Sequence, residues 1–191
     1  MRMAAIVAVS FSLASCLEKL PGDAIPETES MKNLDDAEQI LTGIYTAYMS
    51  SGLYSGYLTL CPDIQADLVY AVNGNTNKYG TLWQWDIRST NAEIEAVYAS
   101  LYKVIGRCNF YLDQVDALRA DMTDDAQIQM LDYFTGEVHC ARGLAYSELI
   151  KCFCKAYTDA ETAKTELGVV LADTYFGEKP KMRANLHDSY I

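Results

Sequence analysis

The fold is decided by residues 123–155, which read TDDAQIQMLDYFTGEVHCARGLAYSELIKCFCK. Apolar or small residues recur in this stretch at intervals of three and four, which is the period of one buried helical face. These positions are Ile128, Leu131, Phe134, Val138, Ala141, Ala145, Leu149 and Cys152. The side chains of Thr123 and Asp124 can accept the free N–H groups of the first turn, and no proline interrupts the run. The stretch therefore predicts one long core helix.

A second long helix is predicted directly before it, with Asn91 as the N-cap. Its apolar side comprises Ile94, Val97, Tyr98, Leu101, Ile105, Cys108, Leu112 and Val115. Because the polar link between the two helices, residues 118–125, is short, we expect them to pack antiparallel as an αα-hairpin. The chain is therefore predicted to be all-α, built from helix pairs with long irregular loops.

Shorter elements are predicted on either side of this hairpin. Asn33 or Asp35 can cap a first helix whose apolar stripe comprises Ala37, Ile40, Leu41, Ile44, Tyr45 and Tyr48. Residues 53–72 are ambiguous, because Gly56 and Pro62 weaken an otherwise helical pattern. A short helix is predicted over residues 158–166, followed by an extended segment over 167–171. Asn185 has the features of a cap for a last helix, with Asp188 three residues on.

The first residues, MRMAAIVAVSFSLASC, indicate the compartment. Arg2 precedes an apolar run that is too short to span a bilayer, so residues 1–15 are predicted to be a secretory signal peptide. The end of the run resembles the lipobox of bacterial lipoproteins, which implies acyl chains on Cys16. The alternative is an ordinary signal peptide followed by an incidental cysteine. Residues 16–32 contain Pro21 and Pro26 without apolar period, and are predicted to form a tether.

Composition excludes several classes of function. The chain of 191 residues carries 15 basic and 26 acidic residues and a net charge of −11, which argues against nucleic acid as a partner because phosphate binding needs a basic face. The five cysteines after Cys16 form no framework spacing and are predicted to be small buried residues rather than disulfides or metal ligands. No catalytic motif is present, so we expect no enzyme activity and no cofactor.

Several motifs, taken in order, resemble the SusD/RagB family of outer-membrane lipoproteins of Bacteroidetes. Residues 136–146, GEVHCARGLAY, are similar to the family's G-E-A-x-x-x-R-A-x-x-Y helix. Residues 102–109 are similar to its Y-x-x-I-x-x-x-N helix, and residues 36–45 resemble its first helix. Residues 167–169 and 183–190 resemble later family segments. The motif residues interpreted as structural are Gly136, Glu137, Arg142, Tyr146, Tyr102 and Asn109.

The resemblance implies an all-α fold with tetratricopeptide-like helix pairs, over a helical domain of residues 33–191. Family members are more than twice as long, so the resemblance implies an N-terminal portion, incomplete at its C-terminus. It also implies a lipid-anchored protein that faces the cell exterior, binds glycan and passes oligosaccharide to a TonB-dependent, SusC-like transporter. The chain departs from the family pattern at Tyr98, Gly143 and Val170, where the family has Trp, Ala and Pro.

The sequence also offers a candidate carbohydrate site between the second apolar segment and the helix that follows Asn91. An aromatic ring can stack on the C–H face of a sugar, while amides and carboxylates bind its hydroxyls. The candidate residues are Asn75, Asn77, Tyr79, Trp83, Trp85 and Asp86. Trp83 and Trp85 alternate, so in an extended chain they would point to opposite sides. The alternative is that Trp85, and Trp83 with it, packs in the core.

Two other functions remain compatible with the sequence. One is a helical scaffold that docks on the transporter without binding sugar, and the other is a non-functional truncated fragment. A hydrolase is a more distant alternative, since no pair of acids has a context that suits glycoside hydrolysis.

Overall fold

The computed structural model describes residues 31–74, 76, 79–175 and 181–190, and this part of the chain is helical. Its seven helices are α1 Leu34–Tyr48, α2 Tyr57–Gln65, α3 Gly80–Trp83, α4 Ala92–Asp121, α5 Asp125–Phe153, α6 Ala160–Thr165 and α7 Leu186–Tyr190. An isolated antiparallel bridge between Leu167 and Asn185 is the sole β pairing within these residues. The predicted all-α fold is confirmed.

The helices α4 and α5 form the predicted antiparallel hairpin. Asp124 caps α5, because its carboxylate accepts the backbone N–H groups of Ala126 and Gln127 at 2.8 and 3.2 Å. Residues nearer the end of α4 contact residues nearer the start of α5, as antiparallel packing requires. The pairs are Asn109 with Arg142, Tyr111 with Thr135 and Arg119 with Asp132.

The apolar face of α5 forms the centre of the core, where Leu131, Val138, Ala145 and Leu149 are fully buried. Cys152, which was predicted on this face, is exposed. The last buried positions of the helix are Leu149 and Ile150, so the buried face turns toward Ile150 and leaves Cys152 outside it. The periodic pattern therefore holds for most of α5 and fails in its last turn.

The cysteines divide into two groups, and the prediction that all of them are buried is wrong. Cys140 is exposed because it lies two residues from Val138, on the opposite side of α5. Cys61 and Cys108 are buried, and burial raises the pKa of their thiols to about 11 and about 12. No cysteine after Cys16 forms a disulfide within the described residues.

The first helix, α1, packs against both members of the hairpin. Asn33 caps it by accepting the N–H of Asp36 at 2.9 Å, and Ala37 and Ile44 are fully buried. The hydroxyl of Tyr48 donates to the carbonyl of Ala141 on α5 at 2.5 Å. Tyr45 was predicted in the buried stripe but is 48% exposed.

The ambiguous segment after α1 contains α2, with Pro62 inside the helix. Its end is a Schellman motif, in which Leu68 N–H bonds the carbonyl of Asp63 at 3.0 Å and Asp67 N–H bonds that of Ile64 at 3.3 Å. Asp67 has φ +58°, in the left-handed region that such a motif requires. The short helix α3 follows and buries Leu82 against Cys61 and Ile64 in a second, smaller core.

The last described helices, α6 and α7, and the segment between them pack on the hairpin. Asp159 caps α6 by accepting the N–H of Thr162 at 2.9 Å. Asn185 caps α7 as predicted, because its side chain accepts the N–H of Asp188 at 2.7 Å and its amide donates to the Asp188 carboxylate at 2.9 Å. Between these helices the chain is non-helical from residue 168 to residue 175, which includes the segment predicted to be extended.

Gly168 lies where this segment meets α7, and we expect Gly168→Ala to destabilise the protein by about 1–3 kcal/mol. A Cβ at this position would overlap Ser189 Oγ and the carbonyl oxygen of Asn185. Gly136→Ala on α5 is the matched control, because a Cβ there meets nothing within 4 Å. It should stabilise the helix by up to about 1 kcal/mol. Urea unfolding of both variants measures the difference, and equal stabilities would contradict this packing.

None of the helices in the described ranges combines the length and hydrophobicity that crossing a membrane requires. The predicted signal peptide, Cys16 and residues 17–30 of the predicted tether lie outside those ranges. Met31, the first described residue, is buried in the main core.

Candidate functional site

Three polar side chains of the α4–α5 hairpin bond the extended segment that follows α6, and a fourth supports one of them. The Tyr102 hydroxyl bonds both the N–H and the carbonyl of Val170, each at 3.0 Å. The Tyr146 hydroxyl likewise bonds the N–H and the carbonyl of Ala172, at 2.7 and 2.9 Å. Asn109 is fully buried and donates to the carbonyls of Ala172 and Thr174. Arg142 donates to Asn109 Oδ1 at 2.9 Å.

These contacts explain the spacing of the motif residues. Residues 170, 172 and 174 present one edge of an extended chain, and side chains of α4 and α5 satisfy the backbone groups along that edge. Burial raises the pKa of the Tyr102 and Tyr146 hydroxyls, so both stay protonated and can donate. The hairpin therefore fixes a segment more than sixty residues away from Tyr102.

Glu137 and Arg142, five residues apart on α5, bond to different helices. Glu137 accepts the hydroxyl of Tyr45 on α1 at 2.6 Å, whereas Arg142 reaches Asn109 on α4. Gly136 lies on the open side of α5 with no heavy atom near its missing Cβ.

Two of the six predicted carbohydrate residues line one cavity on the surface formed by α2, α3 and the loop between them. Tyr79 and Trp83 share a cavity of about 220 Å³ with Leu60, Ile64, Val69, Tyr70 and Ala71. This volume is below the roughly 300–1,000 Å³ of pockets for drug-sized ligands, so the cavity accommodates a single small ring.

The cavity is positioned by a buried anchor and a hydrogen-bonded loop. Leu82 is fully buried, and it holds α3 against α2 while the neighbouring Trp83 remains 39% exposed. Asn91 fixes the loop after α3, because its amide donates to Thr81 Oγ1 at 2.6 Å and its carbonyl oxygen accepts the N–H of Arg88 at 2.6 Å. The ring of Tyr79 packs edge-on against Tyr57 with centroids 5.7 Å apart.

Trp85 and Asp86 lie beside the cavity rather than in its lining. Trp85 has φ +58° and is 61% exposed, so the interpretation of the two tryptophans as core residues is wrong. The expectation of an extended Trp83–Trp85 stretch is also wrong, since Leu82 draws this part of the chain into a helical turn. Asp86 forms an ion pair with Arg88 at 2.6 Å. The hydrogen bond from Arg88 lowers the pKa of the Asp86 carboxyl.

Asn75 and Asn77 lie outside the described residues. Tyr70 was not among the predicted residues, although it lines the cavity and is 79% exposed. The available signal was an aromatic residue five positions after the end of α2. Further exposed apolar residues lie outside the lining, namely Leu68 and Val72 on the same loop and Ile87 on the segment after α3.

The part of the chain that the structure describes contains no group of histidine, cysteine, aspartate or glutamate residues that could hold a metal ion.

Fold and surface together define a helical protein built from a long αα-hairpin, with an exposed aromatic cavity on a separate small subcore. Residues 17–189 match the SusD-like_3 family, described as "Starch-binding associating with outer membrane". The chain belongs to the SusD-like family. A comparison with curated proteins found no match.

Two solved structures share the fold. A SusD superfamily protein from Bacteroides thetaiotaomicron superposes with a TM-score of 0.68 at 21% identity, over 83% of this chain and 34% of that chain. A SusD homolog from the same organism superposes with a TM-score of 0.70 at 18% identity, over 86% of this chain and 29% of that chain. The chain thus spans about a third of the length of the structures it matches.

Proposed function

We propose that this chain is a non-enzymatic binding protein that captures oligosaccharide at the cavity of Tyr79 and Trp83. The observation that carries the proposal is the exposure of the chain's two tryptophans within three residues of each other. Exposing two indoles to water has a cost that a stacking ligand offsets. The description of the family as starch-binding supports carbohydrate as that ligand.

The geometry suits one sugar ring in the cavity and the rest of the oligosaccharide outside it. Trp83 supplies a face for the C–H side of the ring, and Tyr70 and Tyr79 contribute hydroxyls to the same lining. Trp85 lies next along the chain as a second stacking surface. Asp86 stays ionised beside Arg88 and can accept sugar hydroxyls.

The proposed setting is the bacterial outer membrane. The family description includes association with the outer membrane, and acyl chains on Cys16 would anchor the protein there, since two or more chains hold far better than one. Residues 16–32 would form the tether between the anchor and the helical domain. The proposed partner is a TonB-dependent, SusC-like transporter that receives the oligosaccharide at the cell exterior.

Trp83→Ala is expected to weaken binding of an α-glucan oligosaccharide roughly tenfold or more, because the stacking face of the cavity is lost. Isothermal titration of the chain from residue 31 onward measures the affinity. Tyr133→Ala is the matched control, since Tyr133 is 63% exposed on α5 and is not part of the cavity. Unchanged affinity in a folded Trp83→Ala protein would refute the proposed site.

A docking scaffold without sugar binding is the second candidate function. It is favoured by the exposed apolar side chains around the cavity, of which Leu68 is 74% and Val72 60% exposed, because surfaces of this kind mark protein interfaces. The scaffold function would be established if the parent protein bound the transporter but no glucan. Leu68→Ser should then abolish transporter binding. A non-functional fragment would show no cooperative unfolding transition.

A further inference from the structure

A second and larger cavity lies between α5, the extended segment after α6 and α7. Its volume is about 630 Å³, and it shares no lining residue with the aromatic cavity. The polar and aromatic lining includes His139, Arg142, Ser147, Lys151, Asp188 and Tyr190. A cavity of this size, with converging polar groups and aromatic side chains in its lining, has the features of a small-ligand site.

Arg142 is the cation in this lining that lacks an ionic partner among the described residues. It donates one hydrogen bond, from Nη1 to the neutral amide oxygen of Asn109. Lys151, by contrast, pairs with Glu148 at 2.9 Å, and Asp173 on the opposite wall pairs with Lys181. The remaining N–H groups of the Arg142 guanidinium can therefore receive a carboxylate in a bidentate arrangement.

The wall facing α5 is held in place by contacts between the ring of Tyr157 and two residues of α7. Tyr190 is 55% exposed and meets the edge of Tyr157 with ring centroids 5.0 Å apart. The Tyr157 hydroxyl is itself hydrogen-bonded to His187 Nδ1 at 2.9 Å. This bracing keeps a flat aromatic face at the cavity. Asp188 accepts the Asn185 amide at 2.9 Å and retains acceptor capacity for a hydroxyl.

We propose that this cavity binds a carboxylate-bearing sugar of the uronate type. Arg142 receives the carboxylate, Tyr190 stacks on the ring, and Asp188 with Ser147 binds the hydroxyls. A neutral sugar would leave the Arg142 charge without a partner, so the site distinguishes acidic from neutral sugars. The ligand class rests on the carbohydrate role proposed above, but the site and its residues are separate from the aromatic cavity.

The test is titration of the Trp83→Ala protein, which lacks the stacking face of the aromatic cavity, with glucuronate and with glucose, observed by ligand NMR. We expect glucuronate to bind and glucose to bind roughly tenfold or more weakly. Tyr190→Ala and Arg142→Lys should each weaken glucuronate binding to a similar degree, whereas Tyr133→Ala should not. Because Tyr190 is half exposed, its variant keeps the fold even if the Arg142 variant does not.

Equal binding of the two sugars, no binding of glucuronate, or unaltered binding by Tyr190→Ala would overturn the inference. The outcomes also separate the two proposals. If glucan binds in a manner that requires Trp83 but glucuronate does not bind, this inference alone is overturned. Glucuronate binding that requires Tyr190, with no glucan binding, would overturn the aromatic site alone.

Discussion

Asn109→Ala is expected to lower the free energy of unfolding by about 3–4 kcal/mol, since the change removes three hydrogen bonds made by a fully buried side chain. Asn109 is fully buried, donates to the carbonyls of Ala172 and Thr174 and accepts from Arg142. Alanine would remove the bonds to the Thr174 carbonyl and to one guanidinium N–H, and it would leave the Ala172 carbonyl with the Tyr146 hydroxyl as its donor. Urea unfolding followed by far-ultraviolet circular dichroism measures the loss.

Asn73→Ala is the matched control for this experiment. Asn73 is an exposed residue of the loop after α2, and its replacement should change stability by no more than about 0.5 kcal/mol. A loss below about 1 kcal/mol in Asn109→Ala would mean that the extended segment is held by other contacts than these hydrogen bonds.

Leu149→Ala is expected to cost about 2–5 kcal/mol, because it removes a fully buried side chain and leaves a cavity in the main core. Leu144→Ala makes the same chemical change on the same helix, at a side chain that is 42% exposed. It should cost less than about 1 kcal/mol. Thermal and urea unfolding of the two variants compare buried and exposed positions of α5 directly.

Similar losses in the two leucine variants would contradict the assignment of the buried face. A large loss confined to Leu144→Ala would mean that α5 is rotated about its axis, with its apolar face turned away from α4.

The long helices could be predicted because their signals are local. The periodic apolar face of α5, its Asp124 cap and the short link after α4 all lie within one stretch of sequence, and the helix boundaries moved by only a few residues. Asn33 and Asn185 act as caps for the same reason, since each bonds an N–H three residues away. Capping chemistry is short-range and independent of the partner helices.

The helix α2 and the turn after it could not be predicted with the same rules. Pro62 and Gly56 favour a loop, yet burial of Leu58, Cys61 and Ile64 on one side of α2 outweighs them. The alternation of Trp83 and Trp85 suggested that a tryptophan lies in the core, but the buried anchor is Leu82, directly before Trp83. A pattern of aromatic residues does not reveal which neighbour is in the core.

The role of the motif residues depended on contacts that only the folded chain supplies. Tyr102, Asn109 and Tyr146 stand at helical spacing, but their partner is backbone 26 to 68 residues further along the chain. The sequence pattern of these residues does not indicate which backbone segment they bond. Two of the predicted sugar-binding residues, Tyr79 and Trp83, line one cavity, whereas Tyr70 in the same lining was not predicted because it follows a helix that the pattern left ambiguous.

The most direct test of carbohydrate binding at the aromatic cavity uses the chain's own two tryptophans. Both lie at the proposed site, so the indole N–H signals of a two-dimensional nitrogen–proton NMR spectrum report on it without interference from other tryptophans. We predict that titration with the α-glucan oligosaccharide shifts the Trp83 signal, assigned through Trp83→Phe, in a saturable manner. Unmoved indole signals at saturating oligosaccharide would contradict the proposal.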